Sequence, residues 1–229
     1  MMTKRKQGKL IVIEGTDGSG KTEQFRLLHF ALKQKGYPLA LLDFPQYKRG
    51  SAYFVTRYLG GDYGPWQGIP PELGAMFYAL DRFDITSSLQ KWLDQGKIVL
   101  ANRYVASNMG HQGAKITNAR ERKEFIRWVH EFEYGLLNIP KPDCNIFLKV
   151  PPRIATRLIL GRGRRRYPVQ GKRDIHENIL HLRRAFAAYE AAITLYPREF
   201  RVVSCMQGGK LRSISDIHQE MLGLVMQYL

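Results

Sequence analysis

The sequence predicts an α/β protein whose core is a mainly parallel sheet of five strands with helices on both faces. Five short runs rich in apolar and β-branched residues recur along the 229 residues, and helix-like segments separate them. With 44% hydrophobic residues the chain can bury a sizeable core, and no repeat or low-complexity linker divides it. We therefore expect residues 1–229 to form a single three-layer domain.

The predicted elements alternate along the chain. The predicted strands are residues 10–14, 38–43, 98–101, 145–150 and 200–204. The predicted helices are residues 21–35, 71–94, 121–135, 152–161, 175–196 and 214–228. Pro71 and Pro152 are typical of the first turn of a helix, whereas Gly135 and Gly161 are typical of the position where a helix ends. Such alternation favours parallel strands joined by helical crossovers.

Cysteine use and hydropathy indicate a cytoplasmic protein. Cys144 and Cys205 lie beside apolar runs and have no Cys or His neighbour at metal-ligand spacing, so two reduced thiols are expected. No apolar stretch is long enough to span a membrane, and the first seven residues lack the apolar centre of a signal peptide. We expect a cytoplasmic location without membrane contact.

The chain is strongly basic, with 36 lysines and arginines against 20 aspartates and glutamates and a net charge of +16. Such a surplus is compatible with nucleic-acid binding, with a site for several phosphates, or with a solvated basic surface. The arginines concentrate in Arg162-Gly163-Arg164-Arg165-Arg166, without a helix-turn-helix, zinc-finger or RNA-recognition pattern. We interpret the excess as partly functional and mostly surface charge, with nucleic acid as the weaker alternative.

A phosphate-binding loop follows the first predicted strand. The string Gly15-Thr16-Asp17-Gly18-Ser19-Gly20-Lys21-Thr22 fits the pattern G-x-x-x-x-G-K-[ST]. In this motif the glycines let the backbone turn around an anion, Lys21 reaches the β- and γ-phosphates, and the Thr22 hydroxyl binds Mg²⁺. Unpaired N–H groups at the start of the next helix complete the anion site. The loop predicts a site for ATP and Mg²⁺.

Ligands of parallel α/β sheets bind beyond the carboxyl ends of the strands. In this chain those positions hold the phosphate loop, the segment Asp43-Phe44-Pro45-Gln46-Tyr47 and the segment Asn102-Arg103-Tyr104. We expect the three corners to converge on one cleft. Arg103 is suited to hold a second phosphorylated ligand through paired hydrogen bonds, although Arg103 alone could also be a surface residue paired with a carboxylate.

Four motifs together resemble the thymidylate kinases, P-loop nucleoside monophosphate kinases that transfer the γ-phosphoryl group of ATP to dTMP. These motifs are Asp17-Gly18, Phe44-Pro45-Gln46-Tyr47, Tyr78-Ala79-Leu80-Asp81-Arg82 and Arg103-Tyr104-Val105-Ala106-Ser107-Asn108. The resemblance extends from residue 11 to about residue 217. It implies the three-layer P-loop kinase fold, a homodimer, and a substrate pocket that includes Phe44 and Ser107.

The resemblance assigns three residues to the base. Tyr78 corresponds to an aromatic residue that stacks on thymine, and Arg82, four residues later on the same helix face, to one that bonds the thymine carbonyl. Asn108 corresponds to the residue that binds the pyrimidine edge, since an amide both donates and accepts. From the residues alone, Tyr78 could equally be a core aromatic on an amphipathic helix.

Other residues are assigned to the sugar, the metal and the acceptor phosphate. Asp17 would bond the sugar 3′-hydroxyl and, with Thr22, help place Mg²⁺, whereas Arg103 and Tyr47 would contact the acceptor phosphate. His111 occupies a position where a tyrosine often crowds the 2′ side of the sugar. Discrimination against UMP is therefore open, and a plain surface histidine is the alternative.

The resemblance places the lid over residues 161–173. Loop positions 16–19 contain no basic residue, so an arginine of the lid would stabilise the transferring phosphoryl group together with Lys21. Arg162 and Arg164 are the first candidates. The chain departs from the family at Asn102, where the usual residue is an aspartate, and thereby loses a charge of the kind that Mg²⁺ prefers.

We expect a kinase that converts dTMP and ATP to dTDP and ADP. The alternatives within kinases are another nucleoside monophosphate kinase or a pyrimidine nucleoside kinase, for which Glu14 is the candidate general base. A basic P-loop ATPase that binds nucleic acid is the alternative from a different class. A monophosphate acceptor brings its own nucleophilic oxygens, so Arg103 and Tyr47 favour the first interpretation.

Overall fold

The structure is a computed structural model that describes residues 7–161 and 179–229. The strands of its main sheet are β1 (Lys9–Glu14), β2 (Leu39–Asp43), β3 (Ile98–Asn102), β4 (Cys144–Lys149) and β5 (Phe200–Ser204). Their order is β2-β3-β1-β4-β5, and every neighbouring pair is parallel. The predicted five-stranded sheet is confirmed, with small shifts at the strand ends.

Helices cover both faces of the sheet. They are α1 (Lys21–Gln34), α2 (Tyr53–Leu59), α3 (Pro71–Asp84), α4 (Thr86–Asp94), α5 (Val105–Gly113), α6 (Ala119–His130), α7 (Pro152–Gly161), α8 (Ile179–Leu195) and α9 (Ile214–Met226). Short 3₁₀ turns occupy Gly50–Ala52 and Trp66–Gly68, and a small hairpin pairs β6 (Met206–Gln207) with β7 (Lys210–Leu211). The short helices α2 and α5 were not predicted.

Two predicted helices differ from the structure, one in number and one in the type of its last turn. Residues 71–94 form two helices, because the chain turns at Ile85, whose side chain is only 1% exposed and anchors the turn in the core. Helix α6 continues into a π-helical segment, Glu131–Leu136, so the helical stretch ends one residue after the predicted end at Gly135. That segment places Glu133 in the interior opposite Arg82, an ion pair that no local pattern announces.

The central strand β1 separates two apolar layers. Leu10 and Val12 pack in a core cluster with residues of α4, α5, α6 and α8, whereas Ile11 and Ile13 pack in a second cluster with residues of α1, α7 and α9. Strands that are buried on both faces read as continuous apolar runs, which explains why the sequence predicts them well. The layers hold the carboxyl ends of β1, β2 and β3 side by side.

Helices α5 and α8 pack closely because Gly110 has no side chain. A Cβ atom at this position would lie 2.3 Å from the ring of Tyr189 on α8. The close approach brings the residue after Gly110, His111, next to His181 in the first turn of α8. This pair of helices forms one wall behind the strand ends.

Both cysteines are free and buried, as predicted. Cys144 begins β4 and Cys205 directly follows β5, and burial raises the pKa of both thiols, that of Cys205 to about 11. Within residues 7–161 and 179–229, no helix combines the length and the hydropathy needed to cross a bilayer. The predicted lid falls almost entirely on residues 162–173, which lie outside the described residues.

Candidate active site

One cleft opens at the carboxyl ends of β1, β2 and β3, where the sequence places three chemically rich corners. All the predicted substrate residues line it: Asp17, Phe44, Tyr47, Tyr78, Arg82, Arg103, Ser107, Asn108 and His111. The phosphate loop contributes Gly18, Gly20, Lys21 and Thr22 to the same wall. The expected convergence of the three corners is therefore confirmed, whereas Arg162 and Arg164 lie outside the described residues.

The phosphate loop is held in shape by Lys21. Its Nζ donates to the carbonyl oxygens of Gly15 at 2.7 Å and Thr16 at 2.8 Å, and the side chain is buried. Gly18 has φ +78°, and a Cβ there would lie 2.4 Å from the Ala155 carbonyl oxygen, so the loop packs tightly on α7. Gly20, with φ +86°, is the N-cap of α1, whose N-terminus faces the cleft beside Lys21 and Thr22. This arrangement suits an anion.

The Thr16 and Ser19 side chains of the loop are buried. Both hydroxyl oxygens are buried and find no partner among the described residues. Buried hydroxyls without a partner are uncommon, and they suit a loop that binds a polar ligand.

Arg103 follows β3 with a backbone φ of +67°, a conformation that non-glycine residues rarely adopt. Its N–H donates to the Ile13 carbonyl at 3.0 Å, which fixes the corner to β1. Its guanidinium donates through Nη2 to the Asp17 carboxylate and through Nη1 to His111 Nε2 at 2.8 Å. Backbone strain that the surroundings maintain is often found where a side chain must be aimed.

Asp17 is ionised at neutral pH. Burial alone would raise the pKa of its carboxyl group, but the positive charges of Arg103 and Lys21 help to outweigh burial, and this pKa lies well below its usual range. Burial would likewise lower the pKa of Arg103, which the Asp17 carboxylate instead raises well above its usual value. The two side chains thus form a fixed pair of opposite charges inside the cleft.

A buried ion pair supports the far wall of the cleft. Arg82 donates to Glu133 from Nε at 2.6 Å and from Nη2 at 2.7 Å, and both side chains are almost fully buried. Glu133 also accepts at 2.8 Å from Asn108 Nδ2, which donates in addition to the Ala75 carbonyl at 2.9 Å. Glu133 therefore fixes two cleft residues from behind.

Two buried amide atoms on this wall have no hydrogen-bond partner among the described residues, one an acceptor and the other a donor. The Asn108 Oδ1 atom is buried and has no partner in the described part of the chain, so Asn108 presents an acceptor. Gln112 accepts from the Tyr58 hydroxyl at 3.1 Å, and its Nε2, likewise buried, finds no acceptor within the described ranges, so Gln112 presents a donor. Unsatisfied buried amides at a cleft indicate a polar ligand.

Asn102 pairs with Asp43 across the ends of two neighbouring strands. The two residues are in register on β3 and β2, and Asn102 Nδ2 donates to Asp43 Oδ1 at 2.8 Å. Both residues line the cleft, and Asn102 Oδ1 is buried without a partner in the residues described. The Asp43 carboxylate therefore lies next to Asn102, the position at which the chain has an amide instead of the usual aspartate.

Comparison with known proteins decides the family. The family model described as thymidylate kinase matches residues 13–202, most of the chain. The chain belongs to the thymidylate kinase family. It is therefore a phosphotransferase, and the family resemblance of the four motifs is confirmed.

Curated thymidylate kinase relatives cover most of the chain. The thymidylate kinase of Thermomicrobium roseum is 32% identical over 84% of this chain and 85% of its own length. That of Mycobacterium tuberculosis is 32% identical over 68% of this chain and 72% of its own length. A probable thymidylate kinase of Thermococcus gammatolerans is 29% identical over 96% and 97% of the two chains.

The fold is likewise that of a solved thymidylate kinase. The structure of the Candida albicans protein superposes with a TM-score of 0.74, covering 97% of this chain and 92% of that one. At 19% identity this likeness shows the fold alone. It confirms the three-layer P-loop kinase architecture.

The thymidylate kinase site leaves no role for Glu14 as a general base. The carboxylate is fully buried and accepts hydrogen bonds from Tyr104 N, Ser107 N, Ser107 Oγ and the Tyr189 hydroxyl. It is not among the residues that line the cleft. The alternative in which Glu14 serves a nucleoside kinase is not favoured, because these four donors occupy the carboxylate.

Several residues of this thymidylate kinase site escaped the sequence analysis. Gln112 could have been found, because it lies four residues after Asn108 on the same helix face. Glu133 and His181 gave no local signal in the sequence. Glu133 contacts Arg82, 51 residues away, and His181 contacts His111, 70 residues away. Asp43 was quoted only as part of a strand end, although its carboxylate lines the cleft.

Proposed function

We propose that this thymidylate kinase transfers the γ-phosphoryl group of ATP to dTMP, giving dTDP and ADP. One observation carries the proposal: the phosphate loop and a second, guanidinium-bearing corner face each other across a single cleft. A phosphoryl transfer between two phosphorylated ligands needs such a pair of anion sites, with positioning and charge stabilisation supplied by the protein.

The acceptor phosphate is assigned to Arg103 and Tyr47, and the sugar 3′-hydroxyl to Asp17. Arg103 is already oriented by Asp17 on one side and His111 on the other, which limits the freedom that it must lose on binding. Phe44, 3% exposed, packs against Tyr104 at 5.7 Å between ring centroids and gives this end of the cleft a firm apolar wall. Ser107, held by Glu14, lines the same region.

The base is assigned to Tyr78, Arg82 and Asn108. Tyr78 and Arg82 both line the cleft, as expected of positions four apart on α3, so one ring can stack while one guanidinium N–H bonds a carbonyl. Two donors of Arg82 are taken by Glu133, which leaves Nη1 for the ligand. Because Asn108 donates to the protein, its oxygen can only accept, which matches the N3–H of thymine and uracil and opposes the N3 acceptor of cytosine.

ATP and Mg²⁺ are assigned to the phosphate loop. Its residues line the cleft beside Lys21, and the oxygens of Thr22 and of the ionised Asp17 are the hard donors that Mg²⁺ prefers. When bound, Mg²⁺ would neutralise charge on the phosphates. Lys21 would bond the transferring group, and Arg162 or Arg164 of the proposed lid, residues 161–173, would stabilise its charge.

The test is ADP formation from ATP and Mg²⁺ with dTMP, dUMP, UMP, dCMP or thymidine, against a reaction without acceptor. We expect dTMP to be the preferred acceptor. We expect dCMP to be a poorer acceptor than dTMP and dUMP, because the Asn108 oxygen cannot bond the N3 acceptor of cytosine. Preference for thymidine would contradict the assignment of Arg103 to a phosphate. ATP hydrolysis stimulated by DNA instead of dTMP would favour the nucleic-acid alternative.

We further propose that the protein is a cytoplasmic homodimer. Leu73, Met76, Leu80 and Phe83 form an exposed apolar stripe at helical spacing along α3, and Phe54 of α2 extends it. Such a stripe on a helix favours burial against a second copy. Leu80→Arg is expected to give monomers in sedimentation velocity, whereas Phe30→Arg, at another exposed apolar position on α1, is the control that leaves the dimer intact.

A further inference from the structure

Two histidines lie behind Arg103 in a single line of hydrogen bonds. Arg103 Nη1 lies 2.8 Å from His111 Nε2, and His111 Nδ1 lies 3.2 Å from His181 Nε2. The two rings are nearly parallel, with 19° between their planes and centroids 5.5 Å apart. His181 is fully buried in the first turn of α8, with the edge of Trp66 against it.

The chemistry of arginine fixes the protons in this line. A guanidinium can only donate, so His111 Nε2 must be an acceptor and carry no proton. The ring of neutral His111 then has its proton on Nδ1, which donates to His181 Nε2. His181 Nε2 must in turn be unprotonated, so that both histidines are neutral and each is held in one tautomer.

His181 is therefore more than a ring that fills space. A phenylalanine would fill the same volume between α5 and Trp66 without the cost of burying two ring nitrogens. The feature that histidine adds is an acceptor at Nε2, directed at His111. Burial lowers the pKa of His181 to about 4, although the Asp17 charge acts in the opposite direction. This pKa agrees with a neutral ring at physiological pH.

We propose that His181 is a positioning residue for acceptor binding: it fixes the tautomer of His111, which thereby accepts from Arg103 and aims the guanidinium at the acceptor phosphate. The inference rests on the proposed function, because it takes the phosphate of the acceptor nucleotide as the ligand of Arg103. Without an acceptor at position 181, the His111 Nδ1–H loses its hydrogen bond to that ring. The alternative tautomer then places an N–H against the guanidinium.

The test compares three variants by steady-state kinetics with dTMP and ATP. His181→Phe keeps a stacked ring and removes the acceptor, and His181→Gln restores an acceptor oxygen near the Nε2 position. His130→Phe is the matched control, because His130 also stacks on a ring, Tyr196 at 4.2 Å, and bonds a side chain, Glu199 at 3.0 Å. Neither Tyr196 nor Glu199 is among the residues that line the cleft.

For His181→Phe we expect the KM for dTMP to rise about tenfold, the size of one positioned hydrogen bond, with kcat within about twofold and the KM for ATP unchanged. His181→Gln should stay within about threefold of the wild type, and His130→Phe should not change the KM for dTMP. An unchanged KM in His181→Phe, or equal losses in His181→Phe and His181→Gln, would overturn the proposal.

A second readout does not need turnover. Nitrogen-15 NMR of the free wild-type protein distinguishes the two imidazole tautomers, and His111 is expected with its proton on Nδ1. A proton on Nε2 of His111 would refute the proposal even if dTMP is the substrate. Conversely, a wild type that shows the Nδ1 tautomer but does not phosphorylate dTMP would refute the proposed function and leave the hydrogen-bonded line intact.

Discussion

Glu133 is the residue on which the base-side wall of the cleft depends, although it does not line the cleft itself. It accepts two hydrogen bonds from Arg82 and one from Asn108, and its side chain is fully buried. Removing one partner of a buried ion pair leaves the other charge without compensation. This makes the pair a sensitive point for both stability and substrate binding.

We predict that Glu133→Gln lowers the free energy of unfolding by about 3–5 kcal/mol, because Arg82 remains buried as an uncompensated cation. Urea unfolding measures the change. Asp84→Asn is the matched control, since the Arg49–Asp84 pair is about half exposed with a 3.4 Å separation, and its loss should cost less than about 1 kcal/mol. Equal effects of the two variants would mean that Glu133 stabilises the protein no more than a surface charge does.

The Asn102–Asp43 pair leads to a prediction about how Mg²⁺ affects the stability of a variant with a second carboxylate at the ends of β2 and β3. Asn102→Asp replaces a 2.8 Å hydrogen bond by two adjacent carboxylates, so the free energy of unfolding should fall by about 1–2 kcal/mol at pH 8 in EDTA. Mg²⁺ should restore part of this loss by neutralising the pair. Thermal unfolding with and without Mg²⁺ measures both steps, and Asp43→Asn, which adds no charge, should gain nothing from the metal.

At the scale of single residues, the sequence analysis found cleft residues by their position after strands and not by their partners. Arg103, Tyr47 and Asn108 lie at positions where the parallel fold concentrates ligand contacts, so motif and topology suffice to predict that they meet. Glu133 and His181 become visible only when distant elements pack, because their polar atoms serve other side chains. Residues that act through a second residue leave no local pattern.

Among the elements, the strands were predictable and some helices were not. The strands are continuous apolar runs buried on both faces, whereas α2 and α5 are short, and α5 contains Gly110 and Gly113 within nine residues. Propensity does not favour a helix in that segment, and packing against α8 supplies the missing stability. The break between α3 and α4 at Ile85 also depends on packing, since the buried Ile85 side chain anchors the turn. No glycine or proline in the sequence marks this break.

The packing of α5 against α8 gives a prediction for Gly110. In Gly110→Ala the new Cβ would lie 2.3 Å from the Tyr189 ring, so we expect a loss of about 1–3 kcal/mol in the free energy of unfolding. Gly223→Ala on α9 is the control, since nothing lies within 4 Å of the added methyl group, and helix propensity should make it neutral or stabilising by up to about 1 kcal/mol. Denaturant unfolding compares the two. A Gly110→Ala protein as stable as the wild type would show that α5 and α8 can separate at little cost.

For the whole molecule, His181 predicts how stability depends on pH. Its pKa is lowered from 6.5 to about 4 by burial, with Lys115, Arg184 and Arg103 acting in the same direction and Asp17 in the opposite one. Between pH 6.5 and pH 4 the unfolded chain binds a proton that the folded protein does not. The free energy of unfolding should therefore fall by about 3 kcal/mol as the pH drops through this window, and be insensitive to His181 above it.

Urea unfolding of the wild type and of His181→Phe at pH 7.0 and pH 4.5 isolates this contribution. The wild type should lose about 2–3 kcal/mol more than the variant between the two values, since the variant has no imidazole to protonate when it unfolds. The same pH dependence in His181→Phe and in the wild type would contradict a neutral, buried His181.

Because both cysteines are buried, their reaction with a thiol reagent can report transient opening of the sheet. Cys144 and Cys205 flank the β4–β5 side of the sheet, and each is 1% exposed with a raised pKa, so neither offers a reactive thiolate to solvent in the folded state. A maleimide reagent can modify them only in molecules whose sheet has separated there. The rate of alkylation of the native protein thus counts rare excursions of this region.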